Sequence, residues 1–202
     1  MMKKRVIGVI GLGHVGAHVA FTLGVTGAAD IVKLCDVREQ KLISERQDLM
    51  DAVRFMPHRV NYVIAKYEEL GDCDIIINAI GKIELLVTHN RDTEMNFTVA
   101  QVADFIPRVM AGGFQGIFIN ITNPCDVVTD LIAKLSGLPK GHVFGTGTGL
   151  DSSRLVSAIA QQTGLDHKSI TAYMMGEHGN AQMVPWSLIE FGGKPLSELE
   201  KD

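Results

Sequence analysis

The sequence predicts an α/β fold: a doubly wound parallel sheet over residues 1–147, then the start of a smaller α+β domain over residues 148–202. Three observations carry this reading. Short apolar, β-branched runs alternate with longer amphipathic stretches as far as Gly145, the rhythm of right-handed βαβ units. The run Asp74-Ile75-Ile76-Ile77-Asn78-Ala79-Ile80 is apolar on both faces, as a parallel strand covered by helices must be. After about Thr148 the rhythm changes to one helix, a short strand and a polar, Gly-rich turn.

Arg5 to Ile10 reads as the first strand, and Gly13 to Thr26 as the helix behind it. Ile31 to Cys35 is a second strand. From Glu39 to Phe55, Leu42, Leu49 and Val53 recur at helical spacing. Tyr62 to Ala65 and Asp74 to Ile80 are the third and fourth strands. A long helix spans about Thr93 to Met110, with Met95, Val99, Val102 and Ile106 on one face. Gly116 to Ile121 is the fifth strand. Pro124, in the first turn, opens a helix to Leu135. His142 to Gly145 is the sixth strand, Asp151 to Thr163 a helix, and Ile170 to Tyr173 a short strand.

Composition narrows the function classes. Apolar residues are 46% and charged residues 21%, near the globular average, which excludes a disordered or fibrous chain. A net charge of −4 without a long basic run argues against nucleic-acid and membrane-surface binding. No run approaches the roughly 18 apolar residues of a membrane span. The basic start, Met1 to Arg5, is followed by a segment broken at Gly8, Gly11 and Gly13, which reads as a strand rather than a secretory signal. Three cysteines without a C-x-x-C pair fit small buried hydrophobes in a reducing cytoplasm.

The first strand-to-helix turn holds Gly11-Leu12-Gly13-His14-Val15-Gly16, a G-x-G-x-x-G motif. Its glycines allow a tight turn, close approach of backbone to a pyrophosphate, and close helix–sheet packing, in the manner of a Rossmann domain. The phosphates belong at the helix N-terminus, where unpaired N–H groups and the macrodipole favour anions. Asp36 ends the second strand twenty residues after Gly16, where an acid accepts hydrogen bonds from an adenosine ribose. A carboxylate there repels a 2′-phosphate, so NAD is favoured over NADP, although Arg38 could pair with such a phosphate. His14 reads as a solvent-facing helix residue.

Substrate belongs at the carboxyl ends of the strands, and polar residues gather there. Asp151 and Arg154 start a helix three residues apart and share a face. One reading makes them an exposed ion pair. The other sends Asp151 to a histidine and Arg154 to a substrate carboxylate. His178 lies in Gly176-Glu177-His178-Gly179-Asn180, a segment with little apolar reason to be ordered.

These motifs, with the loop ending in Arg91, Thr122-Asn123-Pro124 and Leu150-Asp151-Ser152-Ser153-Arg154, resemble the L-lactate/malate dehydrogenase superfamily over the whole chain. Asn180 and an aliphatic loop before Arg91 resemble most the L-2-hydroxyisocaproate dehydrogenase branch. The resemblance implies an NAD-dependent interconversion of an L-2-hydroxy acid and its 2-oxo acid. His178 would exchange a proton with the reacting oxygen, Asp151 would hold that histidine, and Arg91 would polarise the carbonyl. Arg154 would grip the substrate carboxylate, with Asn123 nearby. Gly11, Gly13, Gly16, Asp36, Gly81 and Asn123 would bind the cofactor, and no metal is implied. A homodimer or homotetramer is the family's common assembly.

The loop residues Ile83, Leu85, Leu86 and Val87, with Lys82 and Glu84 between them, favour an apolar medium-chain side chain, with L-lactate the alternative and malate a weaker one. Two rivals stand beside this reading: an NAD- and metal-dependent glycosidase, and an NAD-binding sensor without turnover. Family members continue past the position of Asp202, so residues 148–202 are expected to be part of a substrate domain. These 202 residues alone would then lack the pocket's far wall, leaving Pro185 to Leu188 and the strand-like Ile189 to Phe191 without partners.

Overall fold

A computed structural model describes residues 3–81 and 91–199, without the side chains of 91–94 and 199. The chain divides into two compact units, residues 1–145 and 146–202.

In the first unit the strands are β1 (Val6–Ile10), β2 (Ile31–Cys35), β3 (Asn61–Ile64), β4 (Ile75–Asn78), β5 (Ile117–Asn120) and β6 (Val143–Gly145). They form one parallel sheet in the order β3-β2-β1-β4-β5-β6. The connecting helices are α1 (His14–Val25), α2 (Glu39–Ala52), α3 (Arg91–Ala111) and α4 (Cys125–Ser136). The predicted strands and helices are present within a few residues of their sequence bounds. Glu39 to Phe55 is not one helix: its last three residues, Val53–Phe55, tighten into a 3-10 turn. The strand order reverses between β1 and β4, which opens a crevice at their carboxyl ends.

Period-two alternation sends side chains of one strand to opposite faces of the sheet. Val6 and Ile10 of β1 join Ile76, Phe118, Phe105, Ile106 and Ile132 in one apolar cluster, under α3 and α4. Ile7 and Val9 join Val32, Leu34, Ala20, Leu42 and Leu49 in the other, under α1 and α2. A fully buried aliphatic or aromatic side chain contributes about 1.5–3 kcal/mol, so these two layers hold the sheet. All three cysteines are buried, and burial pushes the Cys35 and Cys73 thiols up to about 12.

One polar layer interrupts this core. Asn78 and Asn120 close adjacent strands in register, both fully buried, and Asn78 Nδ2 donates to Asn120 Oδ1 at 2.9 Å. Asn120 Nδ2 lies 3.0 Å from the carbonyl of Cys125 and 3.1 Å from that of Thr122, and the Thr122 N–H reaches Asn120 Oδ1 at 3.2 Å. Thr122 Oγ1 in turn donates to the Ile80 carbonyl at 2.8 Å. The layer ties the turns after β4 and β5 to each other.

The second unit contains α5 (Gly149–Thr163), an antiparallel sheet of β7 (Ile170–Thr171), β8 (Glu190–Phe191) and β9 (Lys194–Pro195), and α6 (Leu196–Leu199). Its core is Ala160, Ile170, Ala172 and Ile189, with Leu155, Ile159 and Phe191 packed against it. The expectation that Ile189 to Phe191 lacks partners is corrected. Ile189 is 2% exposed, and Glu190–Phe191 pairs with both β7 and β9. The Gly192-Gly193 turn folds β9 back onto β8, a hairpin that two-residue strands cannot announce by periodicity. Trp186 and Leu188 do remain exposed. Among the described residues no helix is long and apolar enough to cross a membrane.

Replacing a member of the polar layer by an apolar residue leaves its partners buried and unsatisfied. Asn120→Leu should therefore cost about 3 kcal/mol in urea unfolding, and a loss below about 1 kcal/mol would show the layer to be dispensable.

Candidate functional site

The crevice of the first unit is a cleft of about 650 Å³. Gly11, Gly13, Asp36, Gly81 and Asn123 all line it. Gly11 has φ of 88°, and a Cβ there would meet the Ile80 backbone at 2.8 Å. A Cβ on Gly16, which lies buried beneath the turn, would collide with the Gly11 carbonyl oxygen. Both positions therefore require glycine. Gly13 faces open space: nothing lies within 4 Å of where its Cβ would be. It caps α1 without a side-chain hydrogen bond, and the first turn carries no acid. Unsatisfied N–H groups and a positive helix end facing a cleft make a fitting seat for a diphosphate.

Asp36 also lines the cleft, its side chain 3% exposed. It accepts from the Leu12 N–H at 2.7 Å and the Arg38 N–H at 2.9 Å, and from Arg38 Nε and Nη2 at 3.0 Å each. Burial works against its charge, but the Arg38 side chain and the two backbone donors outweigh it and hold the carboxyl below its ordinary value. Asn123 follows Thr122 on the turn anchored by the Asn78–Asn120 layer, and the Asn123–Pro124 peptide is cis. His14, the first residue of α1, is exposed. Arg91 opens α3, and its side chain lies outside the described residues, as do Lys82, Ile83, Glu84, Leu85, Leu86 and Val87.

The second unit brings together residues 27 apart in sequence. His178 Nδ1 lies 2.6 Å from Asp151 Oδ2. A carboxylate can only accept, so Nδ1 carries the proton and Nε2 is the basic nitrogen of the neutral ring. Asp151 is 9% exposed and lies in the first turn of α5, where the helix dipole favours a negative charge. The loop presenting His178 starts at Gly176, with φ of 100°, where a Cβ would crowd the Ala181 carbonyl at 2.9 Å. Met175 and Met183 close that loop with reciprocal N–H to carbonyl bonds of 2.9 and 2.8 Å.

Two hydroxyls staple the segment before the loop to the start of α5. Thr148 Oγ1 donates to the Met174 carbonyl at 2.7 Å, and the Met174 N–H donates to Ser152 Oγ at 2.9 Å. Sequence reading assigns no role to either, nor to Asn78 and Asn120. A polar residue closing each of two apolar parallel strands is the signal that could have found the asparagine pair. Arg154 differs from the expectation that it points away from Asp151: its Nη1 lies 3.5 Å from Asp151 Oδ1. The side chain is 67% exposed, so the pair contributes under about 1 kcal/mol and leaves the guanidinium able to exchange partners.

Comparison with known proteins supplies the family. Residues 5–145 match the lactate/malate dehydrogenase NAD-binding domain, and residues 148–202 match the lactate/malate dehydrogenase α/β C-terminal domain. L-lactate dehydrogenase of Fusobacterium nucleatum is 38% identical over 201 residues, covering 100% of this chain and 63% of the relative. Among solved structures, the minor L-lactate dehydrogenase of Enterococcus mundtii in its ligand-bound form is similar with a TM-score of 0.92 and 33% identity, over 98% of this chain and 63% of that one. Lactate dehydrogenase of Cryptosporidium parvum, complexed with lactic acid and nicotinamide adenine dinucleotide, has a TM-score of 0.80 and 28% identity, over 100% of this chain and 63% of that one. The chain thus spans just under two thirds of the length of these relatives. The chain belongs to the lactate/malate dehydrogenase family, and residues 5–145 are its NAD-binding domain.

Proposed function

We propose that the protein works as an NAD-dependent L-2-hydroxy-acid dehydrogenase with L-lactate and pyruvate as its substrate pair. The observation that carries the chemistry is the 2.6 Å contact between His178 Nδ1 and the buried Asp151 carboxylate. The relatives support lactate over the medium-chain substrates that the aliphatic loop suggests, since those described above are lactate dehydrogenases. Membership of this family also argues against the metal-dependent glycosidase alternative.

Each residue then has a defined task. The Gly11-to-Gly16 turn and the start of α1 hold the diphosphate, Asp36 receives the adenosine ribose, and Gly81 and Asn123 flank the nicotinamide end. Bound NAD supplies the hydride acceptor, or as NADH the donor. In oxidation, His178 Nε2 takes the hydroxyl proton from the substrate; in reduction, the imidazolium returns it to the carbonyl oxygen. Histidine suits both directions because its ring nitrogen can accept a proton and return it. Asp151 holds the ring in one tautomer and offsets the charge of the imidazolium. Arg154 leaves its weak, exposed pairing with Asp151 and takes the substrate carboxylate through two parallel hydrogen bonds. Arg91 polarises the carbonyl.

Two measurements on the protein check this reading. His178→Ala should retain NADH binding while kcat for pyruvate falls by about 10³-fold or more; turnover near the unsubstituted level would remove the acid–base assignment. In a substrate comparison, kcat/KM for pyruvate should exceed that for 2-ketoisocaproate and for oxaloacetate. Preference for 2-ketoisocaproate would restore the medium-chain reading, and preference for oxaloacetate would make the protein a malate dehydrogenase.

A further inference from the structure

The adenosine end of the cleft is already occupied by the protein itself. A ribose diol donates two hydrogen bonds and needs two open acceptor positions on Asp36. A carboxylate offers about four such positions, and all four are taken. Oδ2 receives the Leu12 N–H and Arg38 Nη2, and Oδ1 receives the Arg38 N–H and Nε. Two of these donors are backbone groups, one in the glycine turn after β1 and one in the turn after β2. The other two belong to one guanidinium whose side chain is 55% exposed, on the residue that caps α2. With the guanidinium seated, the Asp36 side chain is 3% exposed.

Resting on the NAD reading above, we propose that Arg38 is a latch: its guanidinium occupies the acceptor positions that the adenosine ribose needs and must swing off Asp36 before the ribose can bind. Only the guanidinium can yield. The Leu12 N–H lies inside the glycine turn, and the Arg38 N–H is held by the chain entering α2. The forked geometry makes the latch specific, because Nε and Nη2 present two parallel donors matched to the two carboxylate oxygens. The guanidinium is half-exposed, so it can leave Asp36 directly into solvent. Arg38 therefore lowers the affinity for the adenosine half of the cofactor and does nothing for the nicotinamide half. The sequence alone offers the opposite role for Arg38, as a partner for a 2′-phosphate.

The test measures dissociation constants of the 202-residue chain for NADH, by nucleotide fluorescence, and for ADP-ribose, by calorimetry. Arg38→Ala should tighten both by about fivefold, and Arg38→Gln, which keeps a polar side chain without the charge and the fork, should do the same. In an Asp36→Asn background the Arg38→Ala effect should vanish, because no carboxylate is left to unlatch. Unchanged or weaker binding of NADH and ADP-ribose in both Arg38 variants would overturn the latch and show that the guanidinium is neutral or holds the nucleotide. If the unsubstituted chain bound neither ligand, the nucleotide reading itself would fail and the latch with it.

Discussion

A carboxylate that is nine-tenths buried stays charged only if its surroundings supply donors, and in the second unit this demand organises everything around Asp151. The N-terminal turn of α5 contributes its dipole, and the imidazole of His178 contributes a hydrogen bond of 2.6 Å. Bringing that imidazole 27 residues back along the chain uses most of the local structure: the Thr148 and Ser152 staples to Met174, the Met175–Met183 bridge, and glycines at both sides of the loop tip. None of these contacts is individually strong. Their joint effect is one ring in one tautomer, with Nδ1 donating to Asp151.

The first unit meets a different constraint with the same economy of means. A parallel sheet puts every strand's carboxyl end on one side, so the turns there carry the cleft. Two of those turns are locked by the buried Asn78–Asn120 pair, which reaches Thr122 directly and Ile80 through Thr122. The third is held by close packing, where Gly11 and Gly16 leave no room for a Cβ. The cleft is therefore closely packed at the Gly11-to-Gly16 turn. At Asp36, by contrast, a half-exposed guanidinium, that of Arg38, covers the carboxylate.

Much of this is legible in the sequence, and the boundary of legibility has a physical reason. The βα rhythm, the G-x-G-x-x-G turn and Asp36 at the end of β2 are local patterns, set by spacing along the chain. The residue types of Asp151, Arg154 and His178 are likewise plain in their motifs. What spacing cannot supply is which atoms meet across the fold. The asparagine pair joins residues 42 apart, and each alone reads as an ordinary end of a strand. Arg38 seated on its neighbour Asp36 depends on side-chain rotamers, and Arg154 leaning toward Asp151 does too. The strand Glu190–Phe191 is too short for any period to reveal, and its pairing with β7 comes from a segment about twenty residues earlier.

The central claim is that the carboxylate of Asp151 fixes the His178 ring with its proton on Nδ1. Long-range ¹H–¹⁵N correlation spectroscopy of the histidine rings at neutral pH reads this directly. The account predicts a His178 ring with Nδ1 protonated and Nε2 carrying the lone pair. A neutral His178 ring with its proton on Nε2 would contradict it, because Nδ1 would then have no proton to donate to the Asp151 carboxylate.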